Sequence, residues 1–222
     1  NDPKGATNVL SEINRLAGIR SWAYRNAPDL IVLGRTALKL DADPKLVLDK
    51  LYHPAREHDP NFAGTAQAIG DLALSKSDYE LAGRTLQLAL KRHPKNADLH
   101  FGAARAFAPS DGKTMTQHLQ ATLTANPNHA GARLLMADRL IDREAYDEAE
   151  TQLSKVLAVN PHHPEAWAYR SVIAHLRADT TAESKAREQA LAHWKTNPRV
   201  DHLIGKKLSQ KYRFAEGSAH QK

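Results

Sequence analysis

The sequence predicts an all-α fold, a linear stack of antiparallel helix pairs with no sheet. Two observations carry this. Prolines recur at a near-constant interval: His58-Asp59-Pro60, Arg92-His93-Pro94, Ala125-Asn126-Pro127, Val159-Asn160-Pro161 and Thr196-Asn197-Pro198 lie 34, 33, 34 and 37 residues apart. Between successive prolines, apolar residues follow a helical period twice. A period in the mid-thirties is the mark of a stacked-repeat architecture, which grows by repeating one supersecondary unit.

The elements follow in order. Residues 1–26 carry Val9, Leu10, Ile13, Leu16 and Trp22 without the repeat pattern, and are expected to form one or two capping helices. The array is expected over 27–222, with units 27–62, 63–96, 97–129, 130–163 and 164–200 and a truncated further unit at 201–222. In 63–96, Ala66, Ile69, Gly70 and Ala73 are spaced i, i+3, i+4, i+7, the interval of one helix face. The polar break Ser75-Lys76-Ser77-Asp78 follows, then Tyr79, Ala82, Leu86, Ala89 and Leu90. Pro94 cannot continue a helix and pushes His93 toward extended geometry. Unit 130–163 repeats this with Leu134, Met136, Ala137 and Leu140, a turn at Asp142-Arg143-Glu144, then Tyr146, Ala149, Leu153 and Val156. Unit 97–129 has an irregular turn at residues 108–112, and unit 164–200 opens with Pro164 at a first helical position, where its missing N–H costs nothing. Gly34, Gly70, Ala104, Ala137 and Ser171 occupy one equivalent place, where a small residue lets the two helices approach. In the last unit, Leu203, Ile204, Leu208, Tyr212 and Phe214 are expected to lack a covering helix, which suggests a contact there, a homodimer among the options.

These residues resemble the tetratricopeptide repeat: the small residue at the eighth position, Ala82 and Ala149, the turns Tyr79-Glu80 and Tyr146-Asp147, and the closing Asn-Pro. The resemblance implies a right-handed superhelical solenoid whose first helices line a concave binding groove. A narrower resemblance, through residues 197–217 and 106–111, is to the repeat region of bacterial multidomain proteins with a downstream zinc metallopeptidase-like domain. That family's metal motif is absent here, so no catalytic residue carries over. With Asn1 in first place, the chain is expected to be a piece of a larger protein.

Composition bounds the function. Apolar residues make up 41% and charged residues 25%, the balance of a folded soluble chain, and no apolar run is long enough to span a membrane. Zero cysteines excludes disulfides and thiolate metal sites. It leaves the compartment open, with a periplasmic or secreted location favoured slightly over the cytoplasm. The net charge of +6 is uneven: residues 164–222 hold 11 Lys and Arg against 6 Asp and Glu, whereas 130–163 hold 4 against 6. Nucleic-acid binding wants a basic stripe along several repeats, which the acidic unit interrupts. RNA or another anionic polymer at the basic C-terminal end is therefore the alternative, not the main reading.

The twelve histidines invite a metal test. A helical zinc site wants two His at i, i+4 so that both ligands share a face. No His-Glu-x-x-His occurs, His53 and His58 straddle Pro54, and His162-His163 diverge in a turn. No metal, cofactor or catalytic site is expected, and the histidines read as solvated turn and surface residues. Trp22, Trp167 and Trp194 read as core.

If the family geometry holds, position 5 of each first helix faces the groove with Ile31, Gln67, Phe101, Leu134 and Ala168. Position 9 gives Arg35, Asp71, Arg105, Asp138 and Val172, and position 12 includes Ile141 and His175. The candidate binding residues are Arg35, Gln67, Asp71, Phe101, Arg105, Leu134, Asp138, Ile141 and His175. Arg35, Asp71, Arg105 and Asp138 alternate in sign, which suggests a ladder of ion pairs, while Phe101 and Leu134 suggest an apolar strip. The Lys and Asn that clamp a chaperone's C-terminal carboxylate in such repeats are missing. The reading is a non-catalytic scaffold that binds a protein or peptide in the groove, or a downstream domain of its own chain.

Overall fold

The computed structural model describes residues 3–19, 25–211 and 214–219, and every regular element among them is helical. Trp22 and Tyr212 lie outside the described residues, as does the side chain of Phe214. The chain divides into two compact units, residues 1–125 and 126–222.

In the first unit, α1 (Pro3–Ile19) packs on α2 (Ala27–Lys39). The partner of α2 is a composite helix: α3 (Pro44–Val47), a π-helical segment Leu48–Tyr52, and α4 (His53–His58). Pro54 has no N–H to give to the preceding turn, and the helix widens into the π form just before it. The extra residue aims Tyr52, 1% exposed, at Gly34. A Cβ on Gly34 would lie 2.9 Å from Tyr52 Cζ, so only glycine fits. Next come α5 (Ala63–Ser75) with α6 (Tyr79–Leu90), and α7 (Ala97–Phe107) with α8 (Gly112–Ala125). Leu86, 1% exposed, fills the gap under Gly70, whose Cβ would stand 2.9 Å from three of its side-chain atoms.

In the second unit, α9 (Ala130–Asp142) pairs with α10 (Tyr146–Val159), and α11 (Pro164–Leu176) with α12 (Thr180–Leu191). The last pair is α13 (Pro198–Gln210) with the short α14 (Phe214–Ala219). One core joins Leu153, Val156, Val172, Ile173, Ile204 and Leu208, all buried. The expectation that α13 is left uncovered fails here: Ile204 is 1% and Leu208 0% exposed. They pack into the core shared with α9 to α11, and α14 crosses close to α13. Gly217 is buried, and a Cβ on it would stand 2.7 Å from Gly205 O. Trp167 packs against the core and its Nε1–H donates to Pro161 O at 2.7 Å. Trp194, expected in the core, is 43% exposed in the turn after α12.

The helix ends repeat as the helices do. Asp78, Asn96 and Asp179 each accept a hydrogen bond from the backbone N–H three residues on, at 2.9, 3.0 and 2.9 Å, capping α6, α7 and α12. Inside four pairs the first helix stops at a residue of positive φ: Asp41 at 60°, Ser77 at 60°, Glu144 at 62° and Ala178 at 58°. The next N–H then reaches back five residues, as in Asp78 N to Ala73 O at 2.9 Å and Asp179 N to Ala174 O at 3.0 Å. This is the left-handed C-terminal cap that glycine usually supplies. None of the four positions holds one.

Within each unit, successive first helices pack on one another: α2 on α5, α5 on α7, α9 on α11, α11 on α13. Among the described residues no comparable packing joins successive second helices. Closer spacing on the first-helix side makes that side the inner face of each stack.

Candidate functional site

The inner face of the first unit carries one charged side chain per first helix. Arg35 stands on α2, Asp71 on α5 and Arg105 on α7, all exposed. Arg105 Nη1 donates to Asp71 Oδ1 at 3.3 Å, with the two side chains 42% and 46% exposed. Although half of the Asp71 side chain reaches water, burial of the rest lifts its carboxyl above the usual carboxylate range, and Arg105 and Arg35 offset part of that rise. The Arg105 guanidinium also lies over the Phe101 ring, 5.9 Å from its centroid. Gln67, half-buried, sits one turn before Asp71 on α5. A cavity of about 650 Å³ adjoins this row, lined by Arg35, Leu38, Asp71, Ser75 and Tyr52, with Leu10 of α1 on one side. Burial pushes the Tyr52 hydroxyl up from its ordinary value. Neither Leu10 nor Tyr52 was legible as a site residue, because one lies in the non-repeating cap and the other on a second helix.

The second unit uses its inner face differently. Asp138 does not stand free as the next rung of a ladder. Its Oδ1 accepts from Tyr169 OH at 3.0 Å and pairs with Lys207 Nζ at 2.6 Å. Lys207 is 3% exposed and also donates to Asp142 Oδ1 at 2.9 Å. Burial first, then the Asp138 carboxylate, pushes the Tyr169 hydroxyl well above its ordinary value, so it remains a hydrogen-bond donor. Lys211 adds a bond to Glu144 Oε1 at 2.8 Å. A second hollow of about 530 Å³ lies beside this network, with Glu165, His202, Lys206 and Gln210 on its walls.

Several expected groove residues lie elsewhere. Leu134 is 6% and Ile141 0% exposed; both belong to the core of the second unit and support its inner face from beneath. Ile31, Ala168 and Val172 are buried as well. The reason is geometric: close packing of successive first helices covers these apolar positions and leaves mainly polar side chains at the surface. The apolar strip therefore reduces to Phe101. His175 Nδ1 lies 3.0 Å from Glu183 Oε1, which ties α11 to α12.

Three of the histidines expected at the solvated surface are half-buried and engaged, His100 on α7, His118 on α8 and His129 at the start of α9. His100 Nδ1 and His118 Nδ1 lie 2.9 Å apart, and Phe107 stacks on the His118 ring at 5.9 Å. His129 Nδ1 caps α9 by accepting from Ala132 N at 3.1 Å. Among the described residues no three His, Asp or Glu side chains converge in a way that would hold a metal ion.

Models of the tetratricopeptide repeat match residues 68–113 and 116–176. No curated protein matches the sequence. Among solved structures, PilF of Pseudomonas aeruginosa superposes with a TM-score of 0.67 at 14% identity, over 87% of this chain and 88% of that one. A tetratricopeptide repeat protein of Parabacteroides merdae gives 0.57 at 15% identity, over 97% and 77%. YrrB, described as a repeat protein with an unusual peptide-binding site, gives 0.53 at 19% identity, over 86% and 96%.

Proposed function

Because residues 68–113 and 116–176 are tetratricopeptide repeats, we propose that the chain is a non-catalytic scaffold that binds an extended peptide segment across the inner face of its first unit. The supporting observation is the row Arg35, Asp71, Arg105: one exposed charge on each of three neighbouring first helices, beside a cavity of about 650 Å³. Neighbouring helices stand about 8–10 Å apart. An extended chain rises about 3.3 Å per residue, so a peptide crossing the row meets a new helix about every third residue. Arg35 and Arg105 offer forked donors for carboxylates or carbonyls, Asp71 accepts from backbone N–H, Gln67 does both, and Phe101 gives an apolar seat. The peptide-binding site of YrrB, a protein of similar fold, points the same way.

The array serves, in this reading, as an interaction arm of a larger protein, its partner either a separate protein or another domain of the same chain. The resemblance to bacterial chains with a metallopeptidase-like domain motivates that part. Nucleic acid is the lesser reading because basic residues of the second unit are already matched: Lys207 and Lys211 as above, Arg177 with Asp147 at 2.6 Å and Arg187 with Asp201 at 2.9 Å. A homodimer through α13 loses its motive once Ile204 and Leu208 are buried. The test is peptide-array binding to the wild type and to Arg35→Glu and Arg105→Glu, with melting temperatures as the folding control. Captured peptides should lose at least tenfold in affinity with either reversal. Binding that ignores both reversals refutes the groove.

A further inference from the structure

The outer side of the first unit holds a second concavity, away from the Arg35–Asp71–Arg105 row. A cavity of about 330 Å³ opens between α4 and α6, with α5 as its floor. That is within the size range of ligand sites. Its lining is apolar at Phe62, Ala66, Ile69 and Leu88, and Leu88 is 59% exposed although it faces this hollow. Around the same lining stand Arg56 from α4, Arg84 from α6 and Arg92 from the turn after α6, against one carboxylate, Asp59. That carboxylate accepts from Asn61 N at 2.9 Å. Arg92 is already positioned, its Nη1 donating to Pro60 O at 2.7 Å across the interval of one repeat. Arg84 reaches only Glu80, at 3.7 Å on an open surface. The floor adds a separate observation. Thr65 lines the cavity, is 2% exposed, and its hydroxyl has no hydrogen-bond partner. Buried polar groups are almost always paired, so this hydroxyl is available to a group that enters the cavity.

We infer that this cavity docks an acidic peptide segment of a partner protein, with an apolar side chain seated on Ile69 and Leu88 and carboxylates running along the arginines. The charge spacing selects a peptide. Arg84 stands on α6, Arg92 in the turn that follows it and Arg56 on α4, so the three guanidinium groups come from separate places around the cavity. A single anionic head group meets one of them, whereas carboxylates spread along an extended chain meet several. The site lies on different residues from the proposed inner-face groove and stands or falls independently of it. The two together let one scaffold hold two segments.

The experiment is fluorescence polarisation of the whole chain against labelled peptides in which Leu or Phe sits between Asp and Glu residues. Controls are charge-matched peptides lacking the apolar residue, and anionic phosphatidylglycerol vesicles. Acidic-apolar peptides should bind, with at least a tenfold loss on Arg84→Glu and on Leu88→Glu, a smaller loss on Thr65→Val, and no change on Arg105→Glu. Backbone amide shifts should move at Thr65 and Leu88. The inference is overturned if no such peptide binds below about 1 mM, if Arg105→Glu weakens binding as much as Arg84→Glu, or if the vesicles bind through the same residues while the peptides do not. Thr65→Val also serves as the folding-safe variant, because it removes an unpaired buried hydroxyl and should leave the melting temperature unchanged or higher.

Discussion

Lys207 Nζ lies 2.6 Å from Asp138 Oδ1, although 69 positions and a whole helix pair separate the two residues. The lysine reaches from α13 over α11 to α9. Ala168 and Val172 on α11 are short and fully buried, which leaves room for the crossing. Lys207 thus ties α13 to α9, and Tyr169 brings α11 into the same network through Asp138. Asp142 Oδ1 and the Asp138 carbonyl give the ammonium further acceptors, and Tyr169 OH donates to the Asp138 carboxylate.

Lys207→Ala is expected to destabilise the protein by about 3–5 kcal/mol, because removing one partner of a buried pair strands the others. Arg105→Ala, which breaks a half-exposed pair, is expected to cost no more than about 1 kcal/mol. Urea unfolding monitored by circular dichroism compares them. Equal effects would mean that the Lys207 network is as solvent-screened as the Arg105 pair.

Gly70→Leu should destabilise by about 1–3 kcal/mol or more, since even a Cβ there stands 2.9 Å from Leu86. Lys91→Ala, at an exposed helix end, should stay within about 0.5 kcal/mol. A soluble Gly70→Leu protein with an unchanged melting temperature would show that α5 and α6 do not close on each other as described.

The helix pairs were legible in the sequence because their markers are local: Pro60, Pro94, Pro127 and Pro161 just past a second helix, Pro198 at the start of α13, and Gly70 or Ala137 where two helices must touch. What was not legible depends on how pairs stack. Leu134 and Ile141 look like groove positions by period, but whether a periodic position is open or covered is decided by the curvature of the stack. Lys207 carries no marker, since nothing local distinguishes it from Lys206, which is exposed. Tyr52 was hidden by the π-helical residue that shifts its phase relative to a regular helix. The outer cavity has no periodic signature at all, because it is shaped by the loop at Pro60 and by one rotamer of Arg92.

Ala178→Gly is expected to stabilise the protein by about 0.5–1 kcal/mol. Ala178 ends α11 at φ 58°, a conformation that strains a side chain with a Cβ and that glycine adopts freely. Glycine's larger unfolded-state entropy takes back part of the gain. Thermal unfolding should show a melting temperature a few degrees higher. A lower one would mean that Ala178 does not hold the left-handed cap.

The His100–His118 contact should make the first unit sensitive to acid. His100 Nε2 lies 3.0 Å from Pro94 O, which can only accept, so Nε2 carries the hydrogen and a neutral His100 presents a lone pair at Nδ1. His118 then donates from its own Nδ1 at 2.9 Å. A proton added at His118 Nε2 leaves the contact in place but puts a cation in this half-buried site, against the His100 ring. Burial first, then His100, holds the His118 ring below its ordinary pKa. The sign follows by linkage: the unfolded chain binds this proton more readily than the folded one, so the stability is fully present above about pH 6.5 and is lost as pH falls through the folded value. The melting temperature should therefore drop between pH 7.5 and pH 5.5. His118→Phe keeps a ring against Phe107 but cannot titrate, and its melting temperature should drop less over the same interval. Parallel curves for the two proteins would remove His118 as the source of the acid sensitivity.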